Sequence, residues 1–207
     1  KPATEDQVMP SLLAAGLEAW VTGLGEAGAS FSQDSEPSAN PALHARLRRA
    51  LDESTEDQFH WAFRAISATN ARAVITRLRK AVVEAGLAAD VPKRRLFILR
   101  NADWPTGPKT QEAVARFLDA GGRVLRFTED DLRRMHEHLA ASLDRSGVRL
   151  DAIYYCPHHP DGVIPELARR CDCRKPAPGM LWRAAHDLGV DPARSWLVGD
   201  VLDDVEA

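Results

Sequence analysis

Apolar positions recur at helical spacing in the first part of the chain. Residues 5–24 mix Leu, Ala and Trp at roughly the spacing of one helix face, which predicts a helix. Residues 41–87 are rich in Ala, Arg and Leu, with a start signal at Ser54 and a stop signal at Gly86, and they predict two or three further helices. Between these segments, residues 25–41 are rich in Gly, Ser, Asn and Pro and predict a mobile linker.

After residue 93 the pattern changes to short apolar runs that alternate with helical segments. Thr128 and Asp131 have the spacing of a capping box, which predicts a helix from there to about residue 146. Two other helices are predicted, at 111–120 and 178–188. Apolar runs bounded by turn residues predict four strands: 96–99, 123–127, 151–155 and 195–199.

Strands that alternate with helices are typical of a parallel sheet that is covered on both faces. The sequence therefore predicts an α/β region at residues 93–207, preceded by a mainly helical region at residues 1–92.

The composition is that of a globular protein without a strong charge bias. Of 207 residues, 44% are hydrophobic and the formal net charge is -3, so there is no basic excess to attract nucleic acid. No apolar run approaches the ~20 residues that a membrane-spanning helix needs, and the first residues do not resemble a signal peptide. We therefore expect a cytoplasmic protein with neither nucleic acid nor a membrane as a partner.

All three cysteines lie in one short segment. Cys156 and His158 form one pair of potential ligands, and Cys171 and Cys173 form another. Such a cluster suits metal ligation in a reducing compartment better than a disulfide framework. Four ligands of this softness favour a tetrahedral structural zinc with no open position, and His159 is the alternative to His158.

Charged residues follow this loop in two groups. Arg174 and Lys175 come directly after it and precede a helix, where they can contact phosphate oxygens, although a solvated basic turn is the simpler alternative. Asp200 and Asp204 follow the apolar run at 195–199, and carboxylates at a strand end can hold Mg²⁺. An acidic helix start is the simpler alternative for the second group.

Four strings in this part of the chain are distinctive when they are taken together. They lie at residues 153–162, 171–176, 178–180 and 198–200, and the first two include the ligand pairs. With them, the stretch from residue 127 to 207 resembles the bacterial D-glycero-D-manno-heptose-1,7-bisphosphate 7-phosphatases. These enzymes belong to the haloacid-dehalogenase superfamily, with histidinol-phosphate phosphatases as relatives.

The resemblance implies a partial Rossmann-like parallel sheet of the haloacid-dehalogenase type with a zinc loop. It also implies that Lys175 neutralises the phosphoryl group in catalysis, that Arg174 contacts the other phosphate of the substrate, and that Asp200 binds magnesium with support from Asp204. The expected cofactors are structural zinc and magnesium. The expected ligand is a phosphorylated sugar of the heptose-bisphosphate type, in the synthesis of lipopolysaccharide or related surface glycans.

One departure from the family bears on activity. The reaction of these enzymes needs an aspartate nucleophile and a second aspartate two residues later, and no Asp-x-Asp occurs in this sequence. We therefore expect a phosphatase-type module that is inactive as this chain. The alternative is a non-catalytic, zinc-stabilised binding module, or a chimeric or truncated product, in which residues 1–126 have an unknown role.

Overall fold

The structure is a computed structural model that describes residues 5–34, 41–52, 57–87, 91–162, 164–199 and 201–206. The chain divides into two compact units, Lys1–Phe127 and Thr128–Ala207. We describe each unit by itself and call them the N-terminal unit and the C-terminal unit.

The N-terminal unit is built from helices and strands that alternate along most of its length. Its helices are α1 (Glu5–Gly23), α2 (Ala71–Glu84) and α3 (Pro108–Asp119), with a 3₁₀ helix at Gly25–Ser30. Its strands are β1 (Phe31–Gln33), β2 (Ala45–Asp52), β3 (Asp57–Ala65), β4 (Arg94–Leu99) and β5 (Arg123–Leu125).

The five strands form one mixed sheet in the order β1-β2-β3-β4-β5. The pairs β1/β2 and β2/β3 are antiparallel, whereas β3/β4 and β4/β5 are parallel. In the register, Trp61 of β3 lies opposite Leu47 of β2 and Arg95 of β4. A mixed α/β fold with parallel strands is therefore confirmed, and the sheet lies within the N-terminal unit.

The core of the N-terminal unit lies between one face of the sheet and the helices α2 and α3. Ala62, Leu96 and Ile98 on the sheet pack in one cluster with Leu78 of α2 and Phe117 of α3. Burial of such side chains is the main stabilising contribution in a domain of this size.

The turn after α3 shows how closely this core is packed. A Cβ atom at Gly122 would come within 2.0 Å of the Phe117 ring, so the close approach of backbone and ring requires glycine there.

The opposite face of the sheet carries aromatic side chains. The rings of Phe59 and Trp61 stack at 4.4 Å, and Phe31 of β1 extends this stack. Trp20 of α1 meets Phe31 edge-on at 5.3 Å. Aromatic pairs with these offsets contribute about 0.5–1.5 kcal/mol beyond the area that they bury, so they help to hold α1 at the β1 edge.

The C-terminal unit contains helices and long connections. Its helices are α4 (Glu129–Arg145), α5 (Gly179–Leu188) and α6 (Leu202–Glu206), with a 3₁₀ helix at Pro192–Arg194. The capping box that the sequence predicts is present, because Thr128 and Asp131 each bond the other's backbone N–H at the start of α4. No helix in the described parts of the chain is both long and apolar enough to cross a lipid bilayer.

The prediction of helices between residues 41 and 65 is wrong. Residues 45–52 and 57–65 form the antiparallel pair β2 and β3. Ala, Arg and Leu favour helices in isolation, but every second residue of these segments faces the same side of the sheet, and strand pairing overrides weak intrinsic propensity. Only α2 in this part matches the prediction.

Two other predictions need correction in the described residues. The segments 151–155 and 195–199 are not strands, because no neighbouring strand in the described part of the C-terminal unit pairs with them. The predicted boundary at residue 93 between a helical and an α/β region falls inside the sheet. β3 precedes this residue, β4 follows it, and the two strands pair with each other. Within the proposed linker at 25–41, residues 31–33 form β1, and residues 35–40 lie outside the described residues.

Candidate metal centre

The cysteine loop follows α4 and folds back on itself through short backbone hydrogen bonds. The His159 N–H donates to Leu167 O at 3.0 Å, and the Gly162 N–H donates to His159 O at 2.9 Å. These bonds reverse the chain direction, so Cys156 is brought beside Cys171. No regular helix or strand is needed to do this.

The four predicted ligands converge on one point. Their donor atoms all lie within 4.8 Å of one another: Cys156, His158, Cys171 and Cys173. The three sulfur atoms are 3.2 to 3.4 Å apart, far longer than the ~2.05 Å of a disulfide bond. An ion with Zn–S bonds of about 2.3 Å would set these separations at about 3.8 Å, so a small outward movement would complete a tetrahedron.

The geometry decides between the two neighbouring histidines. His158 Nδ1 lies 3.5 Å from Cys173 Sγ and 3.9 Å from Cys156 Sγ. His159 Nδ1 instead accepts the Asp161 N–H at 3.1 Å, within its own turn. His158 and not His159 is therefore placed to be the fourth donor, which is the histidine that spacing alone had favoured.

The thiols influence one another strongly. Hydrogen bonds with Cys171 and Cys156 raise the pKa of Cys173 to about 12. Burial favours the protonated form of Cys171, but hydrogen bonds from Cys173, from Cys156 and from the backbone N–H groups of Cys173 and Arg174 lower the pKa of this thiol. Three adjacent thiolates repel one another, so only a bound cation would let all of them ionise together.

The second ligand pair is held by a tight backbone contact. The Gly179 N–H donates to Asp172 O at 2.9 Å. A Cβ atom at residue 179 would lie 2.4 Å from that oxygen, so glycine is required where α5 begins. This contact fixes α5 against the turn that carries Cys171 and Cys173.

The sequence analysis did not single out Arg169, which lies beside the centre. Its guanidinium group is 2.8 Å from His158 Nε2. Arginine has only donors, so Nε2 accepts in this arrangement and Nδ1 carries the proton. Metal binding at Nδ1 would move the proton to Nε2 and release Arg169. The only signal in the sequence is its place in a basic pair just before Cys171.

A cation–carboxylate pair lies in the same unit. Lys175 Nζ forms an ion pair with Asp204 Oδ1, and Asp204 is 5% exposed at its side chain. The other carboxylate oxygen accepts the Val201 N–H at 3.3 Å. The structure therefore brings the predicted phosphate-binding lysine together with one predicted magnesium carboxylate, while Asp200 lies outside the described residues.

Arg174 is the other predicted phosphate contact, and in the sequence it lies between Cys173 of the metal cluster and Lys175. Arg174 donates to His158 O at 3.3 Å and its side chain is otherwise open to solvent. The Arg174 side chain is therefore held by the metal loop on one side and is next to Lys175 in sequence.

Part of the C-terminal unit is similar to known proteins. Residues 172–207 match the HAD-hydrolase-like family. Among curated proteins, a D-glycero-beta-D-manno-heptose-1,7-bisphosphate 7-phosphatase of Yersinia pestis is 48% identical over 81 residues, which are 39% of this chain and 43% of that protein. The chain resembles heptose-bisphosphate phosphatases over one segment.

Two further heptose-bisphosphate phosphatases match to a similar extent. The Salmonella typhi protein is 50% identical over 82 residues, or 40% of this chain and 44% of that protein. The Escherichia coli K12 protein is 49% identical over 82 residues, or 40% of this chain and 43% of that protein. The chain thus spans less than half the length of these heptose-bisphosphate phosphatases.

Proposed function

We propose that the C-terminal unit is a zinc-stabilised, phosphate-binding part of a sugar phosphatase of the heptose-bisphosphate type. The observation that carries this proposal is the contact between Lys175 and Asp204, in a segment that matches phosphatases of this specificity. The proposed ligand is a phosphorylated sugar. A reducing compartment such as the cytoplasm suits the three free cysteines.

The zinc would be held by Cys156, His158, Cys171 and Cys173 and would be structural. Four protein ligands leave no position for water or substrate, so the metal would supply folding energy and no chemistry. Its role is to set the turn that leads to Arg174 and Lys175.

Lys175 would neutralise negative charge on the phosphoryl group, and Arg174 would contact a second phosphate. Asp204 accepts hydrogen bonds at both oxygens, which favours a role in positioning Lys175. Asp200 and Asp204 are the candidate magnesium carboxylates, and magnesium would add positive charge beside the phosphate.

We infer that these 207 residues bind phosphate without hydrolysing the ester at a useful rate. Uncatalysed phosphomonoester hydrolysis is extremely slow, and acceleration by up to ~10²¹ is reached only with a complete site. No Asp-x-Asp pair occurs in the sequence to provide the nucleophile and the acid. A non-catalytic binding module is therefore the second candidate function, and this missing pair favours it.

Phosphate release from heptose bisphosphate with Mg²⁺, and residue-resolved NMR of the zinc-loaded chain with inorganic phosphate, test both candidates. We expect no turnover above background, and saturable shifts of backbone amides at 172–179 that are lost in Lys175→Gln. Turnover of about 1 s⁻¹ or more that disappears in Asp200→Ala would show a complete catalytic site. Absence of amide shifts at 172–179 would argue against both candidates.

Arg183→Gln serves as the matched control. Arg183 is an exposed cation on α5 that lies outside the Lys175–Asp204 pair and makes an i,i+4 contact with Asp187. If its loss weakens phosphate binding as much as Lys175→Gln does, the effect reflects total charge and not the proposed site.

A further inference from the structure

A crevice opens in the N-terminal unit at the carboxyl end of β3, where the sheet changes from antiparallel to parallel pairing. On one side the chain passes from β3 into α2 through residues 66–70. On the other side Pro41 and Ala42, which line the crevice, lead towards β2. Crevices outside the carboxyl ends of strands, where connections diverge, are the places at which open α/β sheets bind ligands.

The size of the crevice suits a small ligand. Its volume is about 480 Å³, and pockets for small molecules range from about 300 to 1,000 Å³. The N-terminal turn of α2 reaches it, and the Asn70 side chain caps that helix by accepting the Ala73 N–H at 3.2 Å.

Positive charge dominates the lining. Four cationic side chains line the crevice: Arg64, Arg72, Arg77 and Lys80. Two carboxylates from the first turn of α1 offset them in part, because Asp6 lies 2.6 Å from Arg64 and Glu5 lies 3.4 Å from Arg77. Four cations against two carboxylates leave a surplus of two positive charges. Among the described residues, Arg72 and Lys80 have no ion-pair partner.

Arg64 forms the floor of the crevice. Only 2% of the residue is exposed, and its Nη1 donates to Pro41 O at 2.9 Å. Its Nε, however, is buried and has no hydrogen-bond partner among the described residues. A buried donor without a partner is costly, so a guanidinium group in this position favours an additional acceptor.

Glu5 already places an oxyanion at this end of the sheet. Its carboxylate accepts the backbone N–H of Ser67, the second residue after β3, and lies beside Arg77. One of its oxygens is nevertheless buried without a hydrogen bond of good geometry. An oxyanion is therefore already held beside the crevice, and the lining cations that do not pair with Glu5 or Asp6 are Arg72 and Lys80.

Beyond its first turn, α1 is held through partly exposed side chains, such as Trp20 against Phe31. None of its residues is buried, and Val8, Leu12 and Trp20 are all about half exposed. The ionic contacts of Glu5 and Asp6 thus make up much of the attachment of its first turn. Displacement of Glu5 by another anion would expose its carboxylate, which is now 7% exposed, but would uncover no buried apolar residue of α1.

We propose that this crevice binds a phosphate group, free or carried on a small metabolite, and that Glu5 competes with it for the same donors. A phosphate monoester carries a charge of about -1.5 to -2 at neutral pH, and the cations exceed the carboxylates by two while Glu5 is in place and by three once it is displaced. Guanidinium groups pair with phosphate through two parallel hydrogen bonds, which the accessible side chains of Arg72 and Arg77 can offer at the wall of the crevice. This site is separate from the one proposed at Lys175.

The test is an NMR titration of the full-length, zinc-loaded chain with inorganic phosphate, at constant ionic strength maintained with chloride. We expect saturable shifts of the backbone amides at residues 66–73. Glu5→Gln should tighten phosphate binding about tenfold, because a neutral amide competes poorly with phosphate for these donors. Absence of saturable shifts at 66–73, in both the native chain and Glu5→Gln, would overturn the proposal.

Two further variants test whether phosphate binding depends on the crevice or only on the total positive charge of the chain. The double variant Arg72→Gln, Lys80→Gln changes exposed side chains only and should weaken phosphate binding about tenfold or more. Arg79→Gln, an exposed arginine on the same helix that lies outside the crevice lining, should change it little. Equal losses in these two variants would overturn the proposal.

Lys175→Gln distinguishes the two proposed phosphate sites. We expect it to abolish shifts at 172–179 and to preserve those at 66–73. Loss of both sets of shifts in Lys175→Gln would overturn an independent crevice site, whereas loss of the first set alone supports it.

Discussion

The N-terminal unit buries apolar side chains between a sheet and two helices, whereas the described part of the C-terminal unit buries one residue, Asp204. In the first unit, paired strands and a packed core give the chain its defined structure. In the second, apolar side chains such as Trp196 and Val198 are 97% and 92% exposed, and the best-defined cluster is made of metal ligands.

This difference shows two ways in which a chain segment gains a defined structure. Burial of many side chains contributes to stability in small increments. A structural zinc site concentrates an apparent binding energy of about 10–16 kcal/mol in four residues. The C-terminal unit is thus expected to depend on a cation in the way that the N-terminal unit depends on its core.

Removal of the metal should have the largest effect and should act on one unit only. We expect about one zinc per chain, and we expect a strong chelator or Cys171→Ser to disorder residues 156–173, because the described residues of this loop include no buried apolar side chain to replace the metal. Elemental analysis and NMR of both units measure this. His159→Asn is the control and should retain zinc.

If the chelator instead alters both units equally, or if protein purified without chelator contains no zinc, the contrast between the units does not hold. The centre would then be three thiols and a histidine without a structural metal.

Truncation in the core of the N-terminal unit should have the second largest effect. Phe117 is 1% exposed, so Phe117→Ala should lower the free energy of unfolding of this unit by about 3–5 kcal/mol. Its neighbour Leu118 is 47% exposed, and Leu118→Ala should change that free energy by less than about 0.5 kcal/mol. Denaturant titrations of both variants, with zinc content measured alongside, test whether the metal centre is independent of this core.

A fall in pH should weaken the N-terminal unit through His44, which is buried, and His60, which is partly buried. Burial lowers the pKa of His44 below its ordinary value of 6.5, with nearby Arg64 acting in the same direction and Asp6 and Glu5 opposing it. His44 Nδ1 accepts the Ala65 N–H at 3.2 Å, which requires an unprotonated nitrogen. The unfolded chain then binds more protons than the folded one, so stability is complete above about pH 6.5 and falls as the pH is lowered from there.

The measurement is the unfolding temperature of the native chain, His44→Gln and His60→Gln between pH 7.5 and 5. Burial and the neighbouring arginines Arg94, Arg46 and Arg48 also lower the pKa of His60, so each variant should remove part of the dependence. A pH profile that is unchanged in both variants would contradict this assignment.

The smallest effect is expected at the most exposed aromatic side chain. Trp196→Ala should change the stability of the described C-terminal unit by less than about 0.5 kcal/mol, because almost no surface of Trp196 is buried. A larger loss, measured as earlier release of zinc in denaturant, would mean that residue 196 packs in solution and that this unit has a core after all.

The sequence predicted most helices, and it predicted that these four potential metal ligands lie together, for local reasons. The helix at α4 begins at a capping box that involves only Thr128 and Asp131, and zinc-type ligand pairs need only short spacings. Such features depend on neighbours within a few residues. They can be inferred without knowledge of the rest of the fold.

The features that the sequence did not predict depend on distant neighbours. β2 is rich in helix-forming residues and becomes a strand because it pairs with β1 and β3. The crevice at Arg64 joins residues from α1, β3 and α2 that are up to 75 positions apart, such as Glu5 and Lys80. No local spacing indicates it.

The exposure of tryptophans in the C-terminal unit also determines what optical methods can report. Trp182 and Trp196 are 62% and 97% exposed, so their emission already resembles that of the free side chain in water. Trp61 is partly buried and stacks with Phe59, so its emission should move to longer wavelength when the sheet opens. Intrinsic fluorescence of the whole chain will therefore report unfolding of the N-terminal unit and will change little when the metal loop is disordered. For the metal loop, the suitable signal is the thiolate absorption of the cobalt-substituted protein.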